Sequence, residues 1–359
     1  MKPIFHRRDF LAELLALPVD YKVTRYSQSV FGGPLTAEIS VTGNENDLWE
    51  MMERLRCPVE IYSDKGDALW WGYVAAIDLT IGNVQAGVTI DSMANRIAVA
   101  YNATDPTNEN VGARMTTAWV EDALSTVVYG TRELLLTSSG STAEHAESAR
   151  DMALASMRFP QPTITFSETP GEPGATLYCR GWYSTLDWTY YSTAAADVDT
   201  ATQAKNIAVA KGPFFAGVKQ DVTSGILTSA FRDGDGKSMY VIQELLKMGT
   251  SNTRRMLASV DLNRYLTIYE EPLPSNPFLI TRDGKLRDAF DNPVRAETCP
   301  VGVWMRLKDV IPSSVDTTLL ADPTLAFVDM SEFEVESKKL RLTPRNLENP
   351  WDIGVPSDG

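Results

Sequence analysis

Histidine and cysteine are scarce in this chain, and their scarcity removes several kinds of chemistry at once. The 359 residues hold 2 His and 3 Cys. Cys57, Cys179 and Cys299 are odd in number, far apart and outside any CxxC spacing, so neither a disulfide framework nor a zinc site is suggested. Folding in a reducing compartment fits them. His6 lies beside Arg7 and Arg8, and His145 sits between Glu144 and Glu147 in an Ala-rich stretch. Neither neighbours a nucleophile or a metal-ligand pattern, so both read as solvated. Long apolar runs are also missing: none approaches the roughly 20 residues that cross a bilayer, and no membrane span is expected. The run Phe10 to Leu17 ends at Pro18 without a small-residue cleavage site, so it reads as an amphipathic first helix, with His6 in it, and not as a signal. Basic residues are outnumbered, 33 Lys plus Arg against 47 Asp plus Glu, for a net charge of −14. That balance repels phosphate backbones and argues against a nucleic-acid-binding role. No repeat of fixed period is visible, so neither a solenoid nor a propeller is predicted.

What is present is ordinary globular material, with 43% hydrophobic, 22% charged and 9% aromatic residues. The length suggests two or three compact units. The clearest signal is period-two alternation, which marks half-buried strands. Leu35, Ala37, Ile39 and Val41 alternate with Thr36, Glu38, Ser40 and Thr42, after a turn at Gly32, Gly33 and Pro34. From Leu69 to Ile81 every odd position is apolar; Gly82 and Asn83 then supply a two-residue hairpin loop, and the apolar set switches to Val84, Ala86, Val88 and Ile90. Val59 with Ile61, and Ile97 with Val99 and Tyr101, predict shorter strands.

Leu48, Met51, Met52 and Leu55 share one helical face, with Asp47 as cap, Glu50 three residues on and Pro58 as stop, which predicts a helix over 48–56. Residues 1–104 thus read as an N-terminal helix and a first antiparallel barrel or sandwich with a helix across its opening. A helical insertion follows over 105–160, with helices at Thr117 to Tyr129, closed by Gly130, and Ser141 to Met157, opened by a Ser141-x-x-Glu144 capping box. A second β or α+β unit spans 161–270, with strands at Thr163 to Phe166, Thr176 to Tyr191 and Leu262 to Glu270, and helices at Ala201 to Lys211 and Met239 to Met248. Residues 271–359 read as short strands, at Val301 to Leu307 and Ala326 to Val335, and an extended tail. The fold class predicted is α+β, rich in β structure, with antiparallel barrel or sandwich domains and helical insertions.

Candidate chemistry is thin. Asp233, Gly234, Asp235, Gly236, Lys237 and Ser238 resemble an EF-hand loop, but Lys237 takes a ligand place and Ser238 replaces the turn glycine. They also resemble the end of a Walker A loop, but Phe231 stands where the first glycine is needed. A tight Asp-Gly turn into a helix capped by Ser238 accounts for every residue. No cofactor, metal ion or catalytic residue is implied. Two aromatic clusters, Trp70, Trp71, Tyr73 and Trp182, Tyr183, Trp188, Tyr190, Tyr191, could pack a core or stack on sugars. Alternation points Trp71 and Tyr73 inward, which leaves Trp70, and with it Trp182, as candidate interface or ligand contacts.

The run from Ser29 to Ile39, Leu48-Trp49, Cys57 to Tyr62 and Trp70 to Val74 resembles phage tail proteins of the baseplate hub or tail-tip type. Met93 to Tyr101, Tyr129 to Glu133, Gly181 to Trp188 and Phe231 to Asp235 extend the resemblance across most of residues 20 to 270, and residues 271 to 359 carry none of it. The resemblance implies β-barrel domains that oligomerise around a tail channel, as a trimer foremost or a hexamer. The partners implied are tube, distal tail, fibre or spike proteins, with DNA only as passing cargo. The location implied is the virion tail, after synthesis in the host cytoplasm, and the role is structural, not enzymatic. Two other readings remain: a carbohydrate-binding tail module with an aromatic platform around Trp70 or Trp182, and a peptidoglycan hydrolase with two close carboxylates.

Overall fold

The computed structural model describes residues 1–104, 112–191, 197–228, 236–274, 276–281, 283–307 and 325–345. β1 (Lys2–Phe5) opens the chain, and no helix lies between it and Asp20. Phe10, at φ 64, turns the backbone out of any helical path. Phe10, Leu14 and Leu17 still pack on the core, while Leu11 and Leu15 stay exposed. The predicted amphipathic helix is therefore an irregular loop, because a spacing that suits one helical face also suits a strap laid over a sheet. His6 belongs to a bridge with Glu13, its ring half-buried 3.6 Å from the Glu60 carboxylate, and is not a helical surface residue.

β2 (Asp20–Ser29) and β3 (Gly33–Thr42) form a hairpin whose inner row includes Ala37, Ile39 and Val41, as alternation predicts. Gly33 sits at φ 72, and a Cβ there would lie 2.0 Å from the Val260 carbonyl, so this turn admits no side chain. α1 (Glu45–Glu50) runs into a 3₁₀ turn, Met51–Arg54. Its cap is Asn44, which accepts from the Asp47 N–H at 3.1 Å; Asp47 lies inside the first turn, so the helix starts earlier than predicted and its second half is tighter. Leu48, Met51 and Leu55 are buried beneath it.

β4 (Pro58–Tyr62) leads to β5 (Ala68–Thr89), an extended run that doubles back at Gly82 and Asn83. The Ile90 N–H donates to the Ala75 carbonyl at 3.0 Å, the Thr89 hydroxyl reaches the same oxygen, and Gly87 faces Asp78. Gly82 has φ 55 and Asn83 does not have positive φ, the pattern of a type II′ turn. β6 (Arg96–Ala103), β7 (Arg114–Thr116), β8 (Val120–Glu121) and β9 (Glu133–Ser141) make a separate four-stranded sheet, with β9 parallel to β6. α2 (Ala123–Tyr129) is shorter than predicted, because β8 takes its first residues and Asp122 caps it. α3 (Ala143–Met157) is capped by Thr142, not Ser141, which ends β9.

β10 (Thr163–Gly181) pairs with both arms of β5 and with β3. The strand predicted to reach Tyr191 stops at Gly181, and Trp182–Trp188 form a 3₁₀ turn that buries its aromatic rings. β11 (Val198–Asp199), α4 (Thr200–Lys211), β12 (Gly217–Gln220), β13 (Leu227–Thr228), α5 (Ser238–Lys247), β14 (Met256–Val260) and β15 (Tyr265–Glu270) follow. Ser238 is the first residue of α5 and does not cap it; its N–H donates to the Thr189 carbonyl at 2.8 Å. Asp233 and Asp235 lie outside the described residues. β16 (Phe278–Ile280), β17 (Leu286–Arg287), β18 (Trp304–Leu307), β19 (Leu325–Glu334) and β20 (Lys339–Pro344) complete the chain.

The protein is a β-rich α+β fold around one large mixed sheet with helical insertions. That sheet runs β1-β4-β5-β10-β3-β2-β19-β18-β16-β17, with β20 beside β19, so it draws strands from early, middle and late sequence. It curls until the Phe5 ring of β1 is 5.3 Å from the Tyr21 ring of β2. Two polar struts brace the remaining layers. Arg255 sits between the rings of Phe31 and Phe327 and pairs with Glu271 and Asp329, each at 2.9 Å. Buried Glu133 accepts from Arg96 at 2.7 Å and from the Tyr190 N–H at 2.6 Å, while Lys237 reaches its carbonyl.

Candidate functional site

Trp70 and Trp182 are core residues, 0% and 1% exposed, so neither offers a surface to a partner or a sugar. Alternation misplaces Trp70 because the sheet is covered on both faces at this point, where Leu69, Tyr73 and Val74 are buried alike, so the second face of β5 is no wetter than the first. Trp182 stacks among Tyr73, Phe10 and Phe214, with ring separations of 5.2, 5.1 and 5.5 Å. The Arg56 guanidinium closes this aromatic group, 4.3 Å from the Phe214 ring, and burial pushes it down to about 10. His145 is exposed near the start of α3, far in sequence from His6. Among the described residues no three His, Cys, Asp or Glu side chains converge.

The feature that stands out is the outer edge of the large sheet. The register places Val41 opposite Ala175, Ala175 opposite Leu79 and Ile164 opposite Ala86. The β5 hairpin, closed at Gly82 and Asn83, sets Leu79 beside Ala86. One apolar row therefore crosses five strands. Its first four members are buried, but Ile164 is 54% exposed, and Phe166, opposite Val84, is 77% exposed. The apolar face of the sheet outruns its own cover.

Thr163 to Phe166 pair with the return arm of β5 on one side, and no strand pairs with them on the other among the described residues. An unpaired strand edge presents a row of N–H and C=O groups that can bond another strand. Natural edges are commonly blunted by charge; this one is not, since no charged residue occurs from Phe159 to Ser167 or from Leu79 to Ile90. The opposite face carries Asp78, Thr80, Gln85, Thr163 and Thr165 around an open groove of about 740 Å³. Sequence reasoning found the strand but not its exposure. The available signal was a short β-prone run, Thr-Ile-Thr-Phe, after Pro162, in a stretch without charge from Phe159 to Ser167.

No protein-family model matches the chain, and no curated protein matches it. Among solved structures, the tail protein from Neisseria meningitidis MC58 is similar at a TM-score of 0.42 and 7% identity, over 98% of each chain. The 43 kDa tail protein of prophage MuSo2 from Shewanella oneidensis is similar at 0.32 and 9% identity, over 95% of this chain and 96% of that one.

Proposed function

We propose that this chain is a structural protein of a bacteriophage tail, a hub or tail-tip ring component that assembles with copies of itself around the tail channel. It acts by assembly and not by turnover. The observation that carries the reading is the uncharged, apolar strand edge at Thr163 to Phe166, unpaired among the described residues of a chain of net charge −14. An isolated acidic protein has no use for such an edge; an assembling one does. The resemblance of the runs around Ser29 to Ile39 and Gly181 to Trp188 to tail hub proteins supports the same role. Net acidity suits a passage through which DNA slides without adhering. Neighbouring tube, distal tail, fibre or spike proteins are the further partners of this reading. A sugar-binding module, by contrast, loses the platform assigned to it, since Trp70 and Trp182 are buried.

Light scattering on the purified chain, with electron microscopy of the same sample, tests this. A closed ring, with a trimer foremost, is the expected result. A chain that stays monomeric at tens of micromolar, or that clears peptidoglycan in a zymogram, overturns it.

A further inference from the structure

We infer that the open edge at Thr163 to Phe166 of one copy adds as a strand to the free edge of β9 in the next copy. The inference rests on the ring reading and names the contact that would close the ring. A closed ring of more than two copies needs a heterologous interface, in which one surface meets a different surface on its neighbour. The chain must therefore carry two distinct, compatible edges.

Among the described residues, two free edges carry nothing that blunts them. β20 carries Lys339 and Arg341 and ends at Pro344; β12 carries Lys219; β7 begins with Arg114 and β8 ends with Glu121. β11, β13 and β17 are two residues long, and β1 contains Lys2 and Pro3. β14 is bridged through Ala258 to Phe31. Charge, proline, shortness or cover blunts each of these. β9 differs: it is nine residues long, pairs among the described residues only with β6, and has no charged residue from Leu134 to its end at Ser141.

The two edges also suit each other chemically. Two copies of net charge −14 repel, so contact is cheapest where neither side brings a charge. Both edges meet that condition. Ile164 and Phe166 need an apolar neighbour to continue their row, and β9 offers half-exposed leucines on both faces, Leu134 and Leu136 on one and Leu135 on the other. Within a single chain the edges belong to different sheets, so each is available to a neighbour.

Two measurements test the contact. Ile164→Lys and Phe166→Glu alter exposed side chains, so circular dichroism and melting should match the parent, while self-association weakens at least tenfold by sedimentation. For the pairing itself, Thr165→Cys is combined in turn with cysteine at each position from 134 to 139. The native thiols are buried and stay silent. Disulfides form only between side chains that nearly face each other, so one or two of these pairs should cross-link copies into a ladder, and Thr165→Cys alone should not. An oligomer indifferent to both charge variants overturns the edge contact while leaving the ring reading intact. Cross-linking of Thr165→Cys to itself overturns the heterologous pairing. A monomeric parent overturns the ring reading, and this contact with it.

Discussion

Cys179 is fully enclosed in the main core, and burial alone drives its thiol far above the ordinary range. Cys299 is pushed up to about 12, again by burial, against a partial pull from Ser331. Burial also raises Cys57, although Arg8, Arg54 and Arg56 draw it down, and it raises the phenols of Tyr26, Tyr73 and Tyr183. In the unfolded chain thiols ionise near about 8.5 and phenols near about 10. The folded groups hold their protons longer, so the unfolded state loses protons first as pH rises. Their stabilisation is complete below about pH 8.5 and is lost progressively above it. The denaturant midpoint should therefore be flat from neutrality to mildly alkaline pH and then fall steadily. A thiol reagent should label Cys57, Cys179 and Cys299 only as the protein unfolds; rapid labelling of any of them in the native state would contradict the burial argument.

At the scale of elements, α4 shows how a few hydrogen bonds fix a boundary. Asp199 accepts from the N–H groups of Ala201 and Thr202, both at 3.1 Å, and from Ser224 Oγ at 2.6 Å and the Gly225 N–H at 2.9 Å. Burial opposes its charge, but these donors outweigh it and hold its carboxyl below the usual range. Asp199→Ala should cost about 2 kcal/mol, at the upper end for a helix cap, because the 224–225 turn loses its anchor too. Thermal melting in both forms measures it. The difference between them should shrink as pH falls below about 4, where the Asp199 carboxylate takes up a proton and its contribution is lost. Elements with a single dominant signal were legible from sequence in this way. Alternation gave β3 and both arms of the β5 hairpin, and the helix expected to end at Met248 has its C-cap there, just before Gly249 at φ 66. Boundaries failed where two residues compete for one role, as Asn44 with Asp47, Thr142 with Ser141, and Lys237 with Ser238. The N-terminal loop failed because periodicity reports which side chains are buried, not the backbone that buries them. Trp70 failed for a related reason: what covers the second face of a strand is decided by distant sequence. The open edge at Ile164 and Phe166 depends on which strand ends up outermost, and only the pairing order reveals that.

For the molecule as a whole, the surplus of acid constrains how copies can meet in the proposed assembly. With 47 acidic against 33 basic residues, each approaching copy feels a repulsion that reaches across roughly 30 Å at 0.01 M salt but only about 10 Å at 0.1 M. If the contact between copies were built from ion pairs, added salt would weaken it. A contact between uncharged edges has no such pairs to lose, and screening removes only the repulsion around it. Apolar cover for Ile164 and Phe166 also strengthens, if anything, in salts excluded from protein surface. Self-association should accordingly tighten several-fold as salt rises from about 0.01 M to beyond 0.1 M, the range over which screening changes most. Sedimentation across a salt series reads this directly in the parent chain, without mutation. Weakening over that range would place charged residues in the interface and move it away from the 163–166 edge.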